Sequence, residues 1–133
     1  MISSQFAEVS LADRGTPLRV LVVDDEEIVA DSLARILNEK GFAARAAYSG
    51  EEALESASAL QPDALVSDVI MPGINGVELA MQISRQFPSC RIVLFSALAV
   101  MSNLLKAAGA ENYGFTLLPK PLHPDDLVAH LPS

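Results

Sequence analysis

The chain has 133 residues, half of them apolar and only 5% aromatic, with 17 acidic against 9 basic residues and a formal charge of −8. That length fits one domain with an ordinary core, and the scarcity of aromatics suits an aliphatic α/β packing more than a β-sandwich. The acidity argues against free nucleic acid or an anionic membrane as direct partners, and the single cysteine, Cys90, excludes an intrachain disulfide and a Cys-based zinc site.

In chain order, residues Met1 to Thr16 are weakly patterned and read as a flexible arm, with the domain proper running from Pro17 to Ser133. No stretch resembles a secretory signal or reaches the length of a membrane span, so a cytoplasmic location is expected. Leu18 to Val23 is a continuous apolar run, as a strand buried on both faces requires. Glu26 to Lys40 carries Ile28, Val29, Leu33, Ile36 and Leu37 at helical spacing, and Gly41 is placed to end that helix. Phe42 to Ala47 is a weaker second strand. Ser49 to Glu52 has the pattern of a capping box opening a helix that runs to Leu60, with Pro62 beyond it.

Ala64 to Ser67 is the third strand, and Asp68 to Asn75 a loop with Pro72 and Gly73. Gly76 to Phe87 reads as a helix with Val77, Leu79, Ala80 and Ile83 inward. Arg91 to Phe95 is the fourth strand, with Cys90 before it as a plain thiol near the core. Leu98 to Ala108 reads as a helix, Tyr113 to Leu118 as the fifth strand and Asp125 to Leu131 as a short last helix. Strands alternating with helices over short connections predict a doubly wound parallel sheet, for which 2-1-3-4-5 is a common strand order.

Polar residues stand where these strands end: Asp24 and Asp25, Asp68, Ser96 and Lys120. The carboxyl edge of an open α/β sheet is where ligands bind. Crowded carboxylates repel unless neutralised, and a divalent cation together with one lysine would do that and would suit phosphate chemistry. Taken singly, each residue has a plainer explanation, as a helix cap, a turn hydroxyl or a solvated charge. Four such coincidences at four strand ends do not.

Asp24-Asp25, Asp68, Met71-Pro72-Gly73, Asn75-Gly76, Ser96 and Lys120-Pro121 together resemble the response regulator receiver domain of two-component signalling, over about Pro17 to Leu131. The resemblance implies the flavodoxin-like receiver fold and a set of roles. Asp68 would accept a phosphoryl group from a phosphohistidine on a sensor histidine kinase or phosphotransfer protein. Mg²⁺ (or Mn²⁺) would be held by Asp24, Asp25, Asp68 and the backbone carbonyl of Ile70. Lys120 would pair with Asp68 and then with a phosphoryl oxygen, and Ser96 would donate its hydroxyl to another. A cis peptide between Lys120 and Pro121 is also implied. Such a protein is a phosphoacceptor rather than a conventional enzyme.

Three departures from the family pattern bear on output. Leu117 stands three residues before Lys120, where the family usually has an aromatic switch residue. Gly109 to Thr116 is a few residues longer than the common pattern, on a face many receivers use for dimers or output contacts, which leaves a homodimer open. The chain ends at Ser133, so a stand-alone receiver is expected, acting by phosphorylation-dependent docking onto an output protein or by phosphorelay. Side chains that tune hydrolysis in the family fall on Ile70 and Leu98, both apolar, which implies slow self-dephosphorylation. The alternatives are a degenerate receiver acting as an interaction module without phosphorylation, an aspartyl phosphatase and a flavin-binding protein. The phosphatase would need an acid two residues past its nucleophile, where Ile70 follows Asp68 and Glu26 follows Asp24. The flavin binder would need a Ser/Thr/Gly-rich phosphate loop where the acids stand.

Overall fold

The computed structural model describes residues 16–97, 103, 106 and 113–132. The expected N-terminal arm up to residue 15, the expected helix from Leu98 to Ala108 apart from Asn103 and Lys106, and residues 109–112 lie outside the described residues.

The strands are β1 (Arg19–Val23), β2 (Ala43–Ala47), β3 (Ala64–Asp68), β4 (Arg91–Ser96) and β5 (Thr116–Pro119). The described helices are α1 (Glu27–Glu39), α2 (Gly50–Leu60), α3 (Gly76–Gln86) and α4 (Pro124–Ala129). All strand pairs are parallel and the order is β2-β1-β3-β4-β5, as expected. Alternate strand residues feed two cores. Leu21, Val23, Leu65 and Leu94 pack with α2 and α3 on one face, while Val20, Val22, Val66 and Val93 pack with α1 and α4 on the other. Burial on both faces is why the inner strands read as unbroken apolar runs. β2 is an edge strand whose residues are mostly half-exposed, which accounts for its weaker signal.

Several boundaries differ from expectation for local reasons. Asp68 and Ser96 are the last residues of their strands rather than the first beyond them. β5 begins at Thr116, not Tyr113, because Gly114 takes φ +73 and breaks the extended path. Ile28 is 82% exposed, since the stripe that α1 buries is Ala30, Leu33, Ala34 and Leu37. The expected box at Ser49 is only half formed. Its hydroxyl accepts from Glu52 N at 3.0 Å, but the Glu52 carboxylate accepts from Tyr48 N. A reciprocal box sits instead at the start of α3, between Asn75 and Glu78. α4 ends at Ala129, with His130 as its cap.

Candidate functional site

The sheet topology gathers the polar strand ends into one place. Asp24 follows β1 while still held in the ladder, its N–H donating to Ala47 O. Its side chain is fully buried. Oδ1 accepts from Glu26 N at 2.9 Å, and Oδ2 has no partner. Asp68 closes β3 one strand away and is also buried. Its Oδ2 meets Lys120 Nζ at 3.2 Å, and its Oδ1 has no partner. Asp25 is exposed, yet oxygens from Asp24, Asp25 and Asp68 all lie within 4.8 Å of one another.

Three carboxylates facing one ammonium leave an excess of negative charge. Burial, first of all, pushes the Asp24 carboxyl up to about 6, and the negative charges of Asp68 and Asp25 add to it. The Glu26 N–H and the Lys120 charge oppose that rise without cancelling it. Buried oxygens without partners are rare in folded proteins, and two of them here belong to carboxylates of an all-oxygen cluster. That donor set fits a hard divalent cation.

The loop after Asp68 is shaped by close backbone contacts. Val69 N donates to Phe95 O, Gly76 N donates to Val69 O, and the Ser67 hydroxyl donates to Asp68 O. A Cβ on Gly76 would lie 2.1 Å from Asp68 O, so only glycine lets α3 begin this near the strand. Ile70 lies in this loop two residues past Asp68, its side chain 52% exposed. Gly73 takes φ +73 and lies against the Glu51 carboxylate at the start of α2.

Ser96 ends β4 and is buried. Its link to the acidic cluster runs through the backbone, where its carbonyl accepts from Lys120 N at 3.2 Å. The Lys120–Pro121 peptide is cis. Leu117 is half-buried, paired with Leu94 and packed into the core shared with α2 and α3. The structure thus brings Asp24, Asp25, Asp68 and Lys120 together, with Ser96 and Ile70 on the adjoining strand end and loop.

Two participants were not anticipated from the sequence. The Phe95 ring lies under Lys120 Nζ, 5.7 Å from its centroid. The Glu51 carboxylate accepts weakly from Ile74 N at 3.4 Å. An aromatic immediately before Ser96 was the visible signal for the first. Nothing local marked Glu51. Beside the cluster is a cavity of about 240 Å³, walled by Glu26, Val29, Leu33, Phe95, Lys120 and Leu122.

The family model of the response regulator receiver domain matches residues 20–132. Among curated proteins, the chain is 36% identical over 117 residues to the response regulator MprA of Mycolicibacterium vanbaalenii. It is 37% identical over 116 residues to that of Mycobacterium ulcerans. Each alignment covers 86% of this chain but 49% and 48% of the relative, so the chain spans about half the length of the curated relatives it matches. Among solved structures, the receiver domain of the hybrid histidine kinase CckA superimposes with a TM-score of 0.67 at 34% identity, covering 84% of this chain and 93% of that one. A response regulator from Chloroflexus aurantiacus gives a TM-score of 0.72 at 34% identity, over 86% and 93% of the two chains. The chain belongs to the response regulator receiver domain family.

Proposed function

We propose that this receiver domain takes a phosphoryl group onto Asp68 from a phosphohistidine of a sensor histidine kinase or phosphotransfer protein. The observation that carries this reading is the state of the Asp68 carboxylate. It is buried, one oxygen is paired with Lys120, and the other is unpartnered beside Asp24 and Asp25. In the transfer, Asp68 Oδ1 attacks phosphorus. An O–P bond forms as the P–N bond breaks, and its electron pair leaves with the donor imidazole, which keeps the proton on its other nitrogen. Mg²⁺ or Mn²⁺, held by Asp24, Asp25, Asp68 and the Ile70 carbonyl, would supply charge neutralisation at the phosphoryl oxygens. Lys120 meets one phosphoryl oxygen and the Ser96 hydroxyl another. The protein's share of the work is positioning, so it acts as a phosphoacceptor rather than a turnover enzyme.

The phosphorylated domain is then read by docking onto an output protein or passes its phosphoryl group on, in the cytoplasm. No helix among the described residues is long and apolar enough to cross a membrane. The relatives, about twice as long, carry further sequence beyond the matched region. Ile70 presents an apolar, half-exposed side chain beside the acceptor and cannot orient a water by hydrogen bonding. Hydrolysis of the aspartyl phosphate is therefore slow, and decay as fast as that of a chemotaxis-type receiver would refute this.

One observation favours a second reading, an interaction module that works without phosphorylation. Leu117 is packed into the core where an aromatic switch residue would otherwise report the site's state. Intact mass after incubation with acetyl phosphate and Mg²⁺ separates the two. Wild type should gain one phosphoryl group, and Asp68→Asn, or wild type without the cation, should not. No gain under any condition would leave the interaction module standing.

A further inference from the structure

We propose that Phe95 is a positioning residue that holds the Lys120 ammonium beside Asp68 through the face of its ring. The proposal deepens the phosphoacceptor reading and rests on it for its consequence. The geometry stands by itself. Phe95 is 1% exposed and lies directly across from Asp68 in the β3–β4 register. The next strand pairing, Phe95 with Leu118, brings β5 alongside and sets Lys120 just past its end. Lys120 Nζ then sits over the ring, 5.7 Å from its centroid, while reaching Asp68 Oδ2 at 3.2 Å.

The ion pair alone is a weak tether. The Lys120 side chain is 43% exposed. A partly hydrated ammonium on a four-carbon stem is screened by salt and held loosely by one carboxylate oxygen. The ring adds an attraction from a buried, fixed face that does not require one particular N–H direction. That difference matters once the Asp68 carboxylate becomes an acyl phosphate. The amine must then leave Oδ2 and follow a phosphoryl oxygen. Over the ring face it can shift without losing its second anchor, because that anchor does not involve Asp68. The ring thus keeps the amine within reach in both states of the site.

The test replaces the position-95 ring with 4-fluoro- and then 3,4,5-trifluorophenylalanine, which keep its shape but progressively weaken the negative face, and adds Phe95→Leu. In the unphosphorylated wild type, the Lys120 ε-methylene protons should resonate upfield of their position in Phe95→Leu, because the amine they carry lies over the ring. With acetyl phosphate and saturating Mg²⁺, the saturating phosphorylation rate should fall stepwise along the fluorinated series, to about threefold to tenfold below wild type, while the urea midpoint stays unchanged. A merely structural ring would leave that rate flat along the series. Flat rates, or identical methylene shifts in wild type and Phe95→Leu, would overturn the proposal. If wild type takes up no phosphoryl group, the phosphoacceptor reading fails. The methylene shift then decides the ring contact alone, an upfield position supporting it and its absence overturning it.

Discussion

Replacing Gly76 by alanine tests how tightly the site is built into the backbone. The new Cβ would meet Asp68 O at 2.1 Å, Val69 Cα at 2.8 Å and Asp68 C at 2.9 Å. All three are backbone atoms, so no side chain can swing away. Ordinary contact begins near 3.4 Å, so the first turn of α3 and the end of β3 must separate by more than about 1 Å. Overpacking of this kind typically costs about 1–3 kcal/mol. Straining the Gly76 N–Val69 O hydrogen bond, 2.8 Å long, adds about 1 kcal/mol, and the better helix propensity of alanine returns at most about 1 kcal/mol. The expected net loss is about 2 kcal/mol, read from urea unfolding followed by far-ultraviolet circular dichroism. The same separation moves the Asp68 end of β3, so Mn²⁺ affinity should fall in the variant even where it is fully folded. Gly41→Ala is the control, with φ +100 but nothing within 4 Å, and should lose only about 1 kcal/mol. A Gly76→Ala protein within about 0.5 kcal/mol of wild type and unchanged in Mn²⁺ affinity would refute this reasoning.

The Asp24 carboxyl, pushed up to about 6, makes cation binding pH-dependent. Below that pH a proton competes for the buried oxygen, and apparent Mn²⁺ affinity should weaken by about tenfold between pH 7 and pH 5. Equal affinities at pH 5 and pH 7, measured by the electron paramagnetic resonance of free Mn²⁺, would contradict it. The sign for stability follows from the same shift. Asp24 holds its proton more tightly folded than unfolded, so its contribution is fully present below about pH 4 and is lost as pH rises through 6. Added Mg²⁺ should offset that loss at pH 7. Cys90 is buried, and burial, helped by the Asp63 charge, pushes its thiol up to about 12. Native protein at pH 8 should resist iodoacetamide and urea-unfolded protein should not, whereas fast labelling of the native form would show an open thiol.

Much of the architecture was legible because its physics is local. A strand buried on both faces must be apolar along its buried length, and β1 from Val20 to Val23 and β4 from Ile92 to Phe95 are. Acids that end such strands must meet at one edge once the order is β2-β1-β3-β4-β5, so Asp24, Asp25, Asp68 and Lys120 could be grouped before any coordinate was known. The misses share a different cause. Ile28 has the right chemistry for a core, but one residue's rotation about α1 turns it to solvent. Glu52 has the right spacing to complete a box, but the Tyr48 N–H offers a competing donor. Tyr113 looks like strand until the backbone of Gly114 turns.

The least legible contacts join residues far apart in sequence, and they are the ones that set the site's precision. Gly76 against Asp68 O, Phe95 under Lys120 and Glu51 against Gly73 each depend on how two elements are docked, not on what either element is. They surround a cluster that works against the stability of its own fold, with two buried carboxylate oxygens unpaired and like charges a few ångströms apart. Local strain of that kind persists only where the surrounding structure over-determines it. Here the surroundings are rigid backbone contacts on one side and an aromatic face on the other. Relaxing the cluster by moving Asp68 would therefore break α3 away from β3. Neutralising it with a cation disturbs neither. On the proposed reading, the fold favours a cation-loaded arrangement over a collapsed one, and Gly76→Ala should loosen both together.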